Sequence, residues 1–211
     1  MDKPRVDLIF QVALCVDNME AALENWKKIF QLDESTIVCK CTRDAYENDG
    51  WDGLNYNEQP CEFFHKFCRF NLGGLDLEII EPLDKCPGNP YSDFLIQHGN
   101  GIHHIGVKIG NQPALAATMR EMGIPRYNYA EMGPVLADGA RKGCTFYDLR
   151  ELLGVIMECG SVVVGPLAND PRAVLPYTKK VLACDIHTRA RTKRLLKAAG
   201  AEIVYGLDDL M

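Results

Sequence analysis

The sequence predicts an α+β fold: two βαβββ modules in tandem, then a C-terminal extension of βαβ type. Three observations carry this expectation. Strand-like and helix-like runs follow one another in the same order twice. Polar residues fall at matching places in the two runs. The stretch after Gly160 has a different, proline-bearing character.

Residues 8–16, LIFQVALCV, read as a strand, and DNMEAALENWKKIFQL as a helix. Met19, Leu23, Trp26 and Phe30 recur there at helical spacing. Asp17 is the expected cap, and Glu20 completes an Asp-x-x-Glu form of the capping box. STIVCKC is a short strand. CEFFHKFCRFNL and LDLEIIEPL are two strands around Gly73-Gly74, a hairpin signal. The order then restarts. GIHHIGVKI is a strand, and QPALAATMREMG is a helix with Pro113 near its start and Gly123 at its end. PRYNYAEM is a strand, and RKGCTFYDL and GVIMECG form a pair.

These assignments place the first module at residues 8–83, a linker with the helical YSDFLIQHG at 84–100, the second module at 101–160 and the extension at 161–211. The offset of roughly ninety residues marks a duplication rather than a short-repeat solenoid. Residues 41–60, CTRDAYENDGWDGLNYNEQP, read as loop from their Gly, Asp and Asn content. Their Tyr46, Trp51 and Tyr56 suit either an ordinary surface loop or an aromatic lid over a flat substrate. In the extension, KVLACDIHTRARTKRLLKAAGAEIVYG reads as strand, helix and strand.

The 211 residues, 47% hydrophobic and 25% charged, can bury a packed core. A net charge of -6 argues against nucleic acid, whose phosphates need clustered Lys and Arg. The basic stretch from Arg189 to Lys197 reads as a solvated helix face. The nine cysteines include one C-x-C, Cys39 and Cys41, and no C-x-x-C. They read as free thiols in a reducing cytoplasm. Neither a signal peptide nor a membrane-spanning run is evident. The expectation is a cytoplasmic protein with a small-molecule partner.

Strand alternation separates two faces. In FQVALCV, Val12, Leu14 and Val16 share one face, and Gln11 shares the other with Ala13 and Cys15. In HIGVKI, Ile105, Val107 and Ile109 share one face, and His104 shares the other with Gly106 and Lys108. Glu78 and Glu158 stand opposite the large aliphatics of their own strands. Gln11 and His104 are therefore equivalent, as are Glu78 and Glu158. If the modules pack side by side, the four converge as an imidazole, two carboxylates and an amide oxygen. That donor set suits a divalent metal ion such as Co, Mn, Ni, Zn or Mg. Alternation places His103 on the other face, among Ile105 and Val107, in a structural role. Lys108 is expected at a solvent-exposed strand end. His65, His98 and His187 are isolated in the sequence.

These residues carry a resemblance. The chain resembles the vicinal oxygen chelate superfamily of glyoxalases, bleomycin resistance proteins and dioxygenases, and within it methylmalonyl-CoA epimerase. LGGLDLEIIEPL is similar to that family's LGNTKIELLEPL, and GNGIHHIGVKI to its GxGIHHIxxxV. GVIMEC stands where the family closes with its glutamate. The resemblance covers about residues 8–160 and leaves out residues 41–60 and the tail. It implies a curved, partly open mixed β-sheet around a metal site, and a homodimer. Gln11 departs from the family, whose first ligand is normally His, but Gln, Glu, His and Glu is the set of some glyoxalase I enzymes. The family also has a glutamate acid/base on the strand before that of Glu78, and an ungapped match places this role on Glu62.

The implied reaction is proton transfer α to a carbonyl through an enolate, with Glu62 and Glu158 as the acid/base pair and Glu158 also a ligand. The substrate would be a CoA thioester or an aromatic ketone such as an isoflavanone. The rival readings are a glyoxalase I-type lyase acting on a glutathione hemithioacetal, a ring-cleaving dioxygenase, and a binding protein of the same fold without chemistry.

Overall fold

The computed structural model describes residues 3–44, 52–132, 142–160, 180–182 and 202–204. The first run contains β1 (Val6–Cys15), α1 (Met19–Ile29), a 3-10 turn (Glu34–Thr36) and β2 (Val38–Cys41). A hairpin, β3 (Asp52–Tyr56) and β4 (Gln59–Pro60), precedes β5 (His65–Leu72) and β6 (Leu75–Pro82). After α2 (Pro90–His98) come β7 (Gly101–Ile109), α3 (Gln112–Glu121), β8 (Asn128–Met132), β9 (Lys142–Leu149), α4 (Arg150–Leu153) and β10 (Val155–Gly160). The tail contributes β11 (Lys180–Leu182) and β12 (Glu202–Val204).

One mixed sheet runs in the order β2-β5-β6-β1-β7-β10-β9-β8-β3-β4. Its two halves repeat, with β1 parallel to β6 and β7 parallel to β10. They join through the antiparallel pair β1 and β7. The two positive-φ glycines of the β5–β6 turn, Gly73 and Gly74, set Arg69 opposite Glu78.

The aliphatic face lies under helices, as the alternation predicts. Met19 and Leu23 of α1 pack with Val12, Leu14, Val16, Phe70, Leu77 and Ile79. Leu115 and Met119 of α3 pack with Val107, Ile109, Tyr147, Leu149 and Met157. Burial of these side chains stabilises each half by about 1.5–3 kcal/mol per large aliphatic. The opposite face carries the polar residues and is partly covered by α2, whose Tyr91 and Phe94 pack on Ala13, Cys15, Phe67 and Ile80.

Three local expectations change. The α1 cap is Asn18, whose Oδ1 accepts from Ala21 N at 2.8 Å, while Asp17 pairs with Lys85. Glu81 adds a second acceptor, to Met19 N at 2.9 Å. Residues 52–60 form a hairpin rather than loop, with Asn57 and Glu58 both at positive φ in its turn. Its β3 pairs with β8 and so extends the far edge of the second half. Tyr56 belongs to this hairpin: its ring meets Tyr127 at 5.3 Å and its hydroxyl donates to Asp93 at 2.9 Å. It is a fixed wall, whereas Tyr46 and Trp51 lie outside the described residues. In the tail, β11 and β12 pair in parallel, and the residues between them, where a helix was expected, lie outside the described set.

Candidate functional site

The site is built where the two half-sheets meet. Register places Gln11 beside Gly106, and Gly106 beside Glu158 on its other flank. One row on, Ala13 stands between Glu78 and His104. Gly106 and Ala13 are small, so the four longer side chains close over them. A Cβ at Gly106 would sit 2.8 Å from Gln11 Cβ and 3.0 Å from its Oε1, so the amide oxygen lies directly over the glycine. His104 Nε2 is 3.2 Å from Glu158 Oε2 and 3.9 Å from Glu78 Oε2. Gln11 and His104 are buried, and Glu78 and Glu158 keep a small exposed fraction. The structure thus brings Gln11, Glu78, His104 and Glu158 together. Glu62 stands outside this group: it is exposed, in the stretch between β4 and β5, beyond the strand on which its role was expected.

Both β1 and β7 bulge just before their site residue. Pairing skips Phe10 between Ile9–Val107 and Gln11–Gly106, and skips His103 between Ala13–His104 and Leu14–Ile102. An extra residue disrupts strict alternation. His103 therefore does not join Ile105 and Val107. It packs among Tyr91, Phe94 and Tyr127, with ring centroids 4.9, 5.0 and 6.1 Å away. Its Nδ1 meets His104 Nδ1 at 2.9 Å. Burial, then the neighbouring His104, drives its pKa well below the ordinary range, so it is neutral.

Alternation alone also misplaced Lys108, which is buried rather than at a wet strand end. Burial lowers its pKa, with Asp7 opposing.

Two residues were missed. Asp76 is fully buried and accepts from Gln11 Nε2 at 3.1 Å and Arg69 Nε at 2.9 Å, both on Oδ2, with Arg69 Nη2 on the same oxygen. Arg69 Nε also lies 3.8 Å from Glu78 Oε1. Burial works against the guanidinium's charge, but Asp76 and Glu78 outweigh it and leave its pKa above the ordinary value. The signal was present: Asp76 has the parity of Glu78, and the Gly73-Gly74 turn puts Arg69 opposite Glu78. His65 is a third surprise. It is half-buried, with Nδ1 enclosed and without a hydrogen bond and its ring 4.5 Å from Tyr91, and desolvation presses its pKa to about 3.

Residues 10–142 match the profile described as the Glyoxalase/Bleomycin resistance protein/Dioxygenase superfamily. The chain belongs to this superfamily. No curated protein matches it. Among solved structures, it is similar to a variant of Streptomyces coelicolor methylmalonyl-CoA epimerase in complex with 2-nitronate-propionyl-CoA. That likeness has 19% identity, covers 74% of this chain and 94% of the other, and has a TM-score of 0.45. It is also similar to methylmalonyl-CoA epimerase from Mycobacterium tuberculosis, at 16% identity, 73% and 87% coverage, and a TM-score of 0.42.

A superfamily member with this cluster can be tested for its fit to a cation from its own atoms. Among the described residues, no three His, Cys, Asp or Glu side chains are already spaced as a metal site. The fourth donor here is an amide. Gln11 Oε1 and His104 Nε2 are buried and make no hydrogen bond. Buried polar atoms without partners are costly, and each of these has a lone pair to give. Burial raises the Glu78 pKa to about 7, with Arg69 and His104 opposing and Glu158 adding to the rise. Arg69 and Asp76 cancel in charge. As carboxylates, Glu78 and Glu158 carry two negative charges, the complement of one divalent ion. The residues fit such an ion. A ligand at Nε2 needs its lone pair, which puts the imidazole proton on Nδ1, and His103 Nδ1 is placed to accept it.

Proposed function

We propose that this superfamily member is a metal-dependent epimerase or racemase that moves a proton α to a carbonyl through an enolate. Gln11, Glu78, His104 and Glu158 would hold one divalent ion: Co, Mn, Ni, Zn or Mg. The observation that supports the reading is that Glu158 and Glu78 lie 3.2 and 3.9 Å from His104 Nε2, one row from a Gln11 Oε1 that makes no hydrogen bond. A bound divalent ion supplies a Lewis acid that favours negative charge on the substrate oxygen. Glu78 and Glu158 flank His104 from opposite sides of the strand seam. Glu158 takes the α-proton in this reading. Glu78, whose pKa lies near neutrality before a cation binds, takes the partner role first expected of Glu62. Helix α2 covers one end of the face, and Tyr56 of the hairpin donates to its Asp93. A cytoplasmic homodimer belongs to the same proposal.

The substrate classes are a CoA thioester and an aromatic ketone of isoflavanone type. A specific observation supports a second reading: the amide oxygen of Gln11 stands in the first donor position, as in a glyoxalase I-type lyase acting on a glutathione hemithioacetal. One experiment separates them. Cobalt-loaded protein is incubated in D2O with methylmalonyl-CoA, with an isoflavanone, and with methylglyoxal plus glutathione, and followed by NMR. Deuterium at the α-carbon of either of the first two, dependent on Glu158, is the expected result. Thioester product only in the third moves the assignment to the lyase. Turnover of none, with a ligand bound, leaves a small-molecule binding protein.

A further inference from the structure

An amide is a two-ended ligand. Its oxygen attracts a cation, and its NH2, with a delocalised lone pair and two outward hydrogens, repels one. Something must therefore decide which end of Gln11 faces the cluster. The preceding bulge residue, Phe10, has no group that can hydrogen-bond the amide. Asp76 has one: its Oδ2 accepts Gln11 Nε2 at 3.1 Å. Turning the amide over would set its Oε1 against that oxygen, two acceptors face to face. Asp76 cannot swing aside, because Arg69 holds the same oxygen through Nε at 2.9 Å and through Nη2. All three side chains are buried. The Oε1 left over is unpartnered and lies above the bare Cα of Gly106, beside Glu158.

We propose that Asp76, fixed by Arg69, is a positioning residue that aims the Gln11 oxygen into the cluster and so makes a glutamine serviceable where the fold's other half uses histidine. The inference rests on the donor set proposed above and deepens it. Asp76→Asn supplies an NH2 that can donate to Oε1, and so releases the wrong orientation. Mn2+ affinity, measured by electron paramagnetic resonance and calorimetry, should fall about 10–100-fold, the usual effect of losing an outer partner of a ligand.

A carboxylate has two oxygens and therefore no wrong end. In a Gln11→Glu background, Asp76→Asn should leave Mn2+ affinity unchanged or raised. Equal losses in both backgrounds would show a merely structural role and overturn the inference. Unaltered protein that binds no Mn2+ would overturn both this inference and the functional reading. Mn2+ binding that ignores Asp76→Asn overturns the positioning role alone. Should the variant not fold, NMR of the unaltered protein decides. Adding Mg2+ should shift the Gln11 Cδ resonance while the Nε2 protons stay slow to exchange; loss of their protection overturns the proposal.

Discussion

The two half-sheets share a topology and a pair of bulges, yet hold their central donors by different means. Gln11 and His104 occupy equivalent places, each just after an extra residue: Phe10 in one half, His103 in the other. Asp76 beside Gln11 corresponds to Ile156 beside His104. Arg69 opposite Glu78 corresponds to Phe146 opposite Glu158. The second half is apolar around its donor: the His104 ring stands edge-on to Phe146 at 4.9 Å, and His103 meets its Nδ1. The first half has an apolar bulge residue and moves the orienting job to an ion pair. An imidazole needs a partner for one ring nitrogen, whereas an amide needs its two ends told apart. A duplicated frame can thus place equivalent side chains on two different supports.

The largest expected effect tests whether the halves act as one site. Glu158→Gln keeps shape and removes the carboxylate proposed as the base. Proton exchange at the substrate α-carbon should fall about 10²–10⁴-fold, with Mn2+ binding weakened less than by His104→Ala. Unchanged exchange would remove Glu158 from the chemistry and leave the two halves as a binding surface only.

Next comes the ion pair that sets the halves apart. Arg69→Met leaves Asp76 buried and uncompensated, and should cost about 3–5 kcal/mol in urea unfolding. Adding Asp76→Ile copies the second half's residue, and most of that stability should return, because a buried ion pair is often replaceable by apolar side chains. Mn2+ affinity should not return with it. A double variant that recovers both would make the two supports interchangeable.

How much of this difference could be read in the sequence depends on the interaction that fixes each residue. The strand faces of Gln11, His104, Glu78 and Glu158 were legible, because period-two alternation is imposed by the backbone itself. His103 was misplaced because a bulge is decided by pairing with another strand, which alternation along one chain does not contain. The same holds for Asp52–Tyr56, a strand because β8 offers an edge. Arg69 and Asp76 were within reach of the Gly73-Gly74 register, but charged residues on strands default to a solvated reading. Glu62 came from an ungapped match that ran into the end of the β3–β4 insertion. There Glu62 is exposed beside the buried Phe63, and the match does not place the residue on β5.

A smaller effect follows from Glu78. In the metal-free protein its pKa rises from 4.5 to about 7 through burial. Between those values the folded state holds a proton that the unfolded state has lost. Its contribution to stability is therefore full below about 4.5 and lost as pH rises through 7. The shift corresponds to about 3 kcal/mol at about 1.4 kcal/mol per unit. His65 and His103, driven neutral by burial, act in the opposite sense below about 6.5. The comparison is thus with Glu78→Gln, by urea unfolding in chelator at pH 5 and 8. The wild type should lose stability relative to this variant as pH rises. A constant difference would mean that Glu78 is ionised throughout, and that the first half needs no cation to hold its charge.

The smallest effect compares Ala13 with Gly106, equivalent small residues under the two donors. Ala13 is fully buried and stands between His104 and Glu78 with its Cβ in place. At Gly106 the same methyl would meet Gln11 Cβ at 2.8 Å and the Phe10 ring and Gln11 Oε1 at 3.0 Å. Phe10 is held in the bulge and Gln11 by Asp76, so neither can retreat cheaply. Gly106→Ala should therefore cost about 1–3 kcal/mol, the range for overpacking a tight site, and should weaken Mn2+ binding by displacing the amide oxygen. Wild-type stability and Mn2+ affinity in this variant would show that Gln11 can slide along Asp76. The glycine would then be incidental, and the close approach of the two strands would not be what seats the first donor.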